Sequence, residues 1–280
     1  TITTALAGMK CNKATGTDNI PAEFLKFGGL KLHNILLQLF NKVKLLEVIP
    51  NDWYEGTVKP IHKSGDTEVL GNYRGITISS SVYKLMVLII EKQTMQYIED
   101  NHLLSDFQGA FRKGRRPEDH IFALKRICSL RKAKKMKTYL GFLNISKAFD
   151  ALDRSCLFSH IHKSGIQGKA FNLIKALYHR VDNRVIFGAF KTDTFEVTNG
   201  VKQGCVLSPC LFNLVMHNLE DMLQLCQGVN VSNTNIKGLF HADNIILISA
   251  TKEDLQHMLN TADMFGMTWG LNFNKKNPKY

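Results

Sequence analysis

Nowhere in the 280 residues does a run approach eighteen consecutive apolar side chains, which excludes a helix of membrane-spanning length. The opening Thr1 to Gly8 lacks the basic start and apolar core of a secretion signal. No Cys-x-x-Cys pair occurs among Cys11, Cys128, Cys156, Cys205, Cys210 and Cys226, and no His pair follows Cys205 and Cys210. A disulfide framework and a zinc site are thereby disfavoured, and the thiols read as reduced, intracellular and structural. No internal repeat, low-complexity tract or Pro/Gly/Ser linker interrupts the chain, so one cooperative unit with subdomains is expected. The start at Thr1 without a Met and the finish at Lys279-Tyr280 predict a piece of a longer polypeptide.

Acidic residues are also in short supply. The 24 Asp and Glu face 36 Lys and Arg, a formal net charge of +12, with a pI near 9.4. An excess of this size points to a polyanionic partner, nucleic acid being the commonest. The competing explanation is a basic surface that serves solubility alone. With 44% apolar and 21% charged residues the composition is that of an ordinary globular protein able to bury a sizeable core.

Periodicity predicts a mixed α+β protein. Leu32, Ile35, Leu36, Leu39, Phe40, Val43 and Leu46 recur at helical spacing and should bury one helix face, ending at Ile49-Pro50. Ser79 to Ser81 can cap a second helix through Val82, Leu85, Met86 and Ile89, and a third should span about Pro117 to Leu130. A buried strand over 137–145 leads into a helix from Ser146 onward. Phe187 to Thr198 alternates like an antiparallel pair, and Leu211 to Leu225 is helical. Two apolar runs, Ile236 to Phe240 and Ile245 to Ile248, flank His241-Ala242-Asp243-Asn244 in the pattern of a β-hairpin. Thr251 and Asp254 make a capping-box-like start for a last helix.

Several stretches then occur in a recognisable order. They are Gly16-Thr-Asp18-Asn-Ile20-Pro21, Pro60-Ile-His-Lys63-Ser-Gly65-Asp66, Asn72-Tyr73-Arg74-Gly75-Ile76 and Gln108-Gly109-Ala110-Phe111-Arg112-Lys113-Gly114-Arg115. Asn144-Ile-Ser-Lys147-Ala148-Phe149-Asp150 and Gly200-Val-Lys-Gln203-Gly204-Cys-Val-Leu207-Ser208-Pro209 follow. Together they resemble the non-LTR (LINE-type) reverse transcriptases over nearly the whole chain, with Gly109 and Ala110 exchanged relative to the family's pattern. The resemblance implies a right-hand polymerase fold of fingers and palm, with an antiparallel palm sheet packed against helices. On that basis 1–280 would be a single domain, 1–135 mainly fingers and 136–280 mainly palm, with thumb and endonuclease absent. It further implies RNA-directed DNA synthesis on an RNA template and DNA primer from dNTPs, in a larger polyprotein, at an intracellular address, nuclear or cytoplasmic.

The family's chemistry uses two Mg²⁺ ions held by three carboxylates, because clustered negative charge must offset both cations. Here the palm-strand position is Asn144, the hairpin offers Asp243 and Asn244, and Asp243 is the one carboxylate retained as a metal ligand. A unit charge pair near 4 Å is worth about 4 kcal/mol at an effective dielectric of 20. One such loss in the transition state would slow turnover roughly a thousandfold. Catalytic impairment is therefore expected at Asp243, Asn144 and Asn244. Ala-Asp-Asn is equally good turn chemistry, and only its place in the motif order gives it more meaning. The resemblance places Arg74 and Lys63 on the incoming nucleotide's phosphates, and Gln203 and Gly204 where the template–nucleotide pair approaches. Arg112, Lys113, Arg115 and Arg116, and the run Arg131 to Lys137, are candidates for nucleic-acid phosphates, against the plainer alternative of a charged helix end and loop. Near the end, Asn277 and Pro278 replace the family's Lys-Thr, a further departure where a lysine would be a candidate general acid. An active polymerase with atypical ligands, and a non-enzymatic nucleic-acid-binding or protein-interaction module, are the other readings left open.

Overall fold

A computed structural model describes residues 1–274; Asn277, Pro278 and Lys279 lie outside the described residues. In chain order the first elements are α1 (Ile2–Gly8), α2 (Ala22–Phe27), α3 (Gly29–Leu46), β1 (Glu55–His62), β2 (Tyr73–Ile78), α4 (Ser81–Asp100), α5 (Pro117–Ala133) and β3 (Tyr139–Ser146). Then come α6 (Ala148–Ala151), α7 (Arg154–Lys163), α8 (Gly168–Leu177), β4 (Asp182–Phe187), β5 (Phe190–Lys191), β6 (Phe195–Glu196) and α9 (Leu207–Met222). The chain closes with β7 (Val229–Val231), β8 (Thr234–Ile236), β9 (Gly238–His241), β10 (Asn244–Ser249), α10 (Lys252–Trp269) and β11 (Asn272–Phe273). Two compact units result, each drawn from two stretches: Thr1–Tyr97 with Ile161–Ser208, and Ile98–His160 with the chain from Pro209 onward. Among the described residues no helix is long and apolar enough to cross a membrane.

The first unit is built on a sheet ordered β2-β1-β4-β5, with β6 also on β4. Strands β1 and β2 pair antiparallel and β1 and β4 parallel. Under it Phe40, Trp53 and Tyr83 make successive edge-to-face contacts at 6.2 and 6.1 Å, the geometry aromatic quadrupoles favour. Helix α3 buries Leu36, Phe40 and Val43 only, and leaves Ile35 and Leu46 exposed. The expected seven-residue stripe is too wide, because at 100° per residue Ile35 and Leu46 both lie on one flank, roughly 90–110° from the line through Leu36, Phe40 and Val43. Helix α3 also stops at Leu46, where Glu47 turns left-handed (φ +58°) and its N–H returns to Val43. The serine cluster does start α4, with Ser80 Oγ accepting from Tyr83 N at 3.1 Å.

The second unit is built on an antiparallel sheet ordered β11-β3-β10-β9, with β7-β8 as a separate hairpin. Gly141 of β3 lets Leu255 and Leu259 of α10 close on one face, since a Cβ there would stand 3.2 and 3.7 Å from them. Ile127 of α5 joins Val229, Leu239 and Ile248 in a buried cluster against β9 and β10. Thr251 caps α10 as its sequence predicts, accepting from Asp254 N at 3.0 Å. Past Ser146 the expected single helix is two: Lys147 sits left-handed (φ +46°) before the four-residue α6, and α7 begins at Arg154.

Candidate active site

Strands β9 and β10 turn on two residues, Ala242 and Asp243, because His241 and Asn244 are the last paired positions of the ladder. The turn needs a positive φ, and Ala242 supplies it at +55°, a conformation that costs an alanine about 1–2 kcal/mol. Register does the rest. Asn244 lies opposite Asn144 of β3, and Ile145 N donates to Asp243 O at 3.1 Å, so Asn144, Asp243 and Asn244 meet at one end of the sheet.

Their side chains are tied to one another. Asn144 Nδ2 donates to Asn244 Oδ1 at 3.0 Å and more distantly to Asp243 Oδ2 at 3.4 Å. Asn144 Oδ1 accepts from Asn274 Nδ2 at 2.6 Å, and Asn274 N donates to Asn144 O at 2.8 Å. The reverse orientation of the Asn144 amide would set oxygen against the Asp243 carboxylate, so the network selects the one seen. A divalent cation needs oxygens converging on it. Asn144 instead turns N–H groups toward the hairpin and its only oxygen toward Asn274, so these residues do not fit a pair of Mg²⁺ ions. Among the described residues no cluster of three or more His, Cys, Asp and Glu side chains is arranged to hold a metal. Asp150 follows Asn144 by six residues, on α6, and is exposed.

Asn274 follows shortly after Gly270-Leu271, and no local pattern marks it as a partner of Asn144. The link arises because β11 pairs with the end of β3. His241 and Gly109, the latter exchanged with Ala110 relative to the family's pattern, prove to be neighbours of His120. A Cβ at residue 109 would fall 2.8 Å from the His120 ring, and His120 meets His241 edge to face at 6.0 Å. Burial, and then the adjacent His241 imidazole, hold His120 below the usual imidazole range.

In the first unit Lys63 and Arg74 stand together on the β1–β2 hairpin. Lys63 N donates to Asn72 O at 2.8 Å, Arg74 lies opposite Ile61, and both side chains are exposed. Gln203 and Gly204 join the same sheet through Thr77, whose N–H donates to Gln203 O at 2.7 Å. A Cβ on Gly204 would lie 2.6 Å from Thr77 O, at a φ of +104°. The backbone of β2 is therefore itself a reason for glycine at this position.

The basic cluster is less free than its sequence suggests. Arg112 makes a two-point contact with Glu99, Nε to Oε1 at 2.9 Å and Nη2 to Oε2 at 2.8 Å, and its Nη1 donates to the carbonyls of Ser105 and Gln108 at 2.5 and 3.2 Å. That hydrogen bond, ahead of any other effect, holds Glu99 below the usual carboxylate range. Arg115 pairs with Asp106. Arg131 is buried, donating to Thr138 Oγ1 at 2.9 Å and to Lys137 O at 2.5 Å. Lys113 and Arg116 are exposed. Arg112 and Arg131, counted in the sequence among phosphate-binding candidates, thus have most of their donors engaged inside the protein.

Residues 61–277 match the family described as "Reverse transcriptase (RNA-dependent DNA polymerase)". A Pol polyprotein from a type-1 retrotransposable element R2 of Popillia japonica is 26% identical over 275 residues, 97% of this chain and 37% of that protein. The RNA-directed DNA polymerase from the mobile element jockey of Drosophila melanogaster is 21% identical over 276 residues, 96% of this chain and 30% of that protein. The chain thus spans 37% and 30% of the length of these two curated relatives, and 20% of a TX1 transposon protein from Xenopus laevis. In fold, telomerase from Candida tropicalis, solved in complex with a fragment of telomeric RNA, superposes with a TM-score of 0.60 over 88% of this chain and 44% of that one, at 15% identity. The right-hand polymerase fold expected from the motifs is the fold found.

Proposed function

The chain belongs to the reverse transcriptase family, as the domain carried by non-LTR retrotransposons, and from that membership we propose that it holds nucleic acid while its own polymerisation is severely impaired. The observation that carries this reading is the Asn144 amide, which donates toward Asp243 and Asn244 where the family's chemistry needs carboxylate oxygens. Family members use divalent metal ions, and one carboxylate in place of three leaves the charge of two such ions uncompensated.

The partners that fit are an RNA template and a DNA primer, with Arg74 and Lys63 as the contacts to a dNTP's phosphates and Lys113 and Arg116 as exposed contacts to the strands. Strands β1 and β2 would serve as fingers and the β11-β3-β10-β9 sheet as palm. Two assays on the purified chain test the reading together: primer extension on an RNA template with Mg²⁺ or Mn²⁺, and salt-titrated binding to the same primer–template. Salt-sensitive binding without extension is expected. Clear Mg²⁺-dependent synthesis would establish an active polymerase with atypical ligands instead, and weak binding without preference for hybrid duplex would favour a protein-interaction module.

A further inference from the structure

Lys59 stands far in the sequence from Arg184 and Lys191, and the three form no basic run, yet all line one cavity of about 500 Å³ in the first unit. Its floor is a face of the sheet. Thr57 lies opposite Ile78 on one side and beside Arg184 on the other, and Lys191 lies opposite Ile186. Its wall is the loop from Thr15 to Asn19, and that wall is fixed. Gly16 lies so close to the start of α4 that a Cβ would fall 2.1 Å from Ser79 O, and Asp18 accepts from Ser81 N at 2.8 Å and Ile20 N at 3.2 Å. Glu55, the one carboxylate of the lining, faces Arg184 at 3.5 Å. The cavity keeps a positive excess, with the hydroxyls of Thr15, Thr17 and Thr57 as further donors.

We propose that this cavity binds the phosphates of a single strand of nucleic acid. The inference rests on the nucleic-acid-binding reading above and says where a strand lies. The volume is in the range of ligand sites, about 300–1,000 Å³, and admits one strand but no helix. Lys59 on β1 and Lys191 on β5 are separated by β4, a spread of about 10 Å at the usual strand spacing. Successive phosphodiesters of an extended strand reach across such a span. The sequence's conspicuous basic cluster offers less, because Arg112 and Arg115 already hold Glu99 and Asp106.

The test is fluorescence anisotropy of a short labelled single-stranded RNA with the parent chain and with the double variant Lys59→Gln, Lys191→Gln. Both lysines are exposed, so the variant should fold, which circular dichroism checks. Loss of two phosphate contacts should lower affinity roughly tenfold and reduce the slope of log K against log salt by about 1.4. Parental affinity and slope in the variant would overturn the proposal, as would displacement of the RNA by equimolar inorganic triphosphate. A parent chain that binds neither this RNA nor hybrid duplex would defeat the broader reading as well. A parent that binds RNA with the variant unchanged defeats the cavity alone.

Discussion

Asn144 and Asn244 face each other across the β3–β10 ladder, the amide nitrogen of the first 3.0 Å from the amide oxygen of the second. Two carboxylates in these places would repel each other and Asp243 unless cations lay between them; two amides hold together unaided. Amides in these two places therefore need no metal to keep the strand ends in register.

Asn144→Asp combined with Asn244→Asp should create that need. Without divalent ions the double variant should melt below the parent, and Mg²⁺ or Mn²⁺ should raise its Tm in a concentration-dependent way, by the equivalent of about 2.7 kcal/mol at a hundredfold excess over Kd. The parent should show no such response. Differential scanning fluorimetry across a metal titration reads this directly, and a double variant as indifferent to metal as the parent would mean that carboxylates at 144 and 244 do not by themselves make a metal site.

Gly204→Ala should destabilise the first unit by about 2 kcal/mol or more, even without substrate. An alanine at φ +104° is strained, and its Cβ would meet Thr77 O at 2.6 Å. That carbonyl cannot withdraw easily, because Thr77 is paired with Val58 in the sheet. Urea denaturation followed through Trp53, buried in the same unit, gives the number; a neutral result would return the glycine to a purely substrate-facing role.

Arg112→Lys should cost about 1–3 kcal/mol, since an ammonium cannot reproduce the guanidinium's two-point contact with Glu99 while also reaching two carbonyls. The sign of the pH effect follows from the lowered Glu99 pKa. The contact's stabilisation is present above the carboxyl's unfolded pKa and is lost as pH falls through its folded one. The variant should therefore lose less stability on acidification than the parent. Chemical denaturation at several pH values, paired with RNA binding at neutral pH, checks both sides; a variant of parental stability that binds RNA poorly would make Arg112 a strand contact after all.

Local chemistry was legible in the sequence, and long-range matching was not. The β9–β10 hairpin follows from two apolar runs around a polar turn, and α10 from Thr251 and Asp254. The site's membership follows from motif order, since Asn144 and Asp243 could be named together before any pairing was visible. What periodicity cannot carry is who answers whom across the chain. Glu99 on α4 engages Arg112, and β11 delivers Asn274 to Asn144. The parallel pairing of β1 with β4 brings Arg184 beside Thr57. Stripe width is a further gap, because the α3 sequence shows seven apolar positions and nothing in it says which flank stays exposed.

Glu220 supplies a prediction of opposite sign to that of Glu99. Burial pushes its carboxyl up from 4.5 to about 7. Its Oε1 has no hydrogen-bond partner among the described residues, and His217 Nδ1 stands 4.0 Å from Oε2. Between those two pH values the folded chain binds a proton that the unfolded chain has released, so stability falls as pH rises through that window and levels off above about pH 7. The whole effect is at most about 3 kcal/mol at 1.36 kcal/mol per unit. Glu220→Gln keeps the shape and is neutral throughout. It should match the parent near pH 5 and exceed it by about 1–3 kcal/mol at pH 8, as measured by urea midpoints at the two pH values. Parallel stability curves for the two proteins would show that Glu220 is charged in the fold, with Arg112 or His217 as its counter-ion.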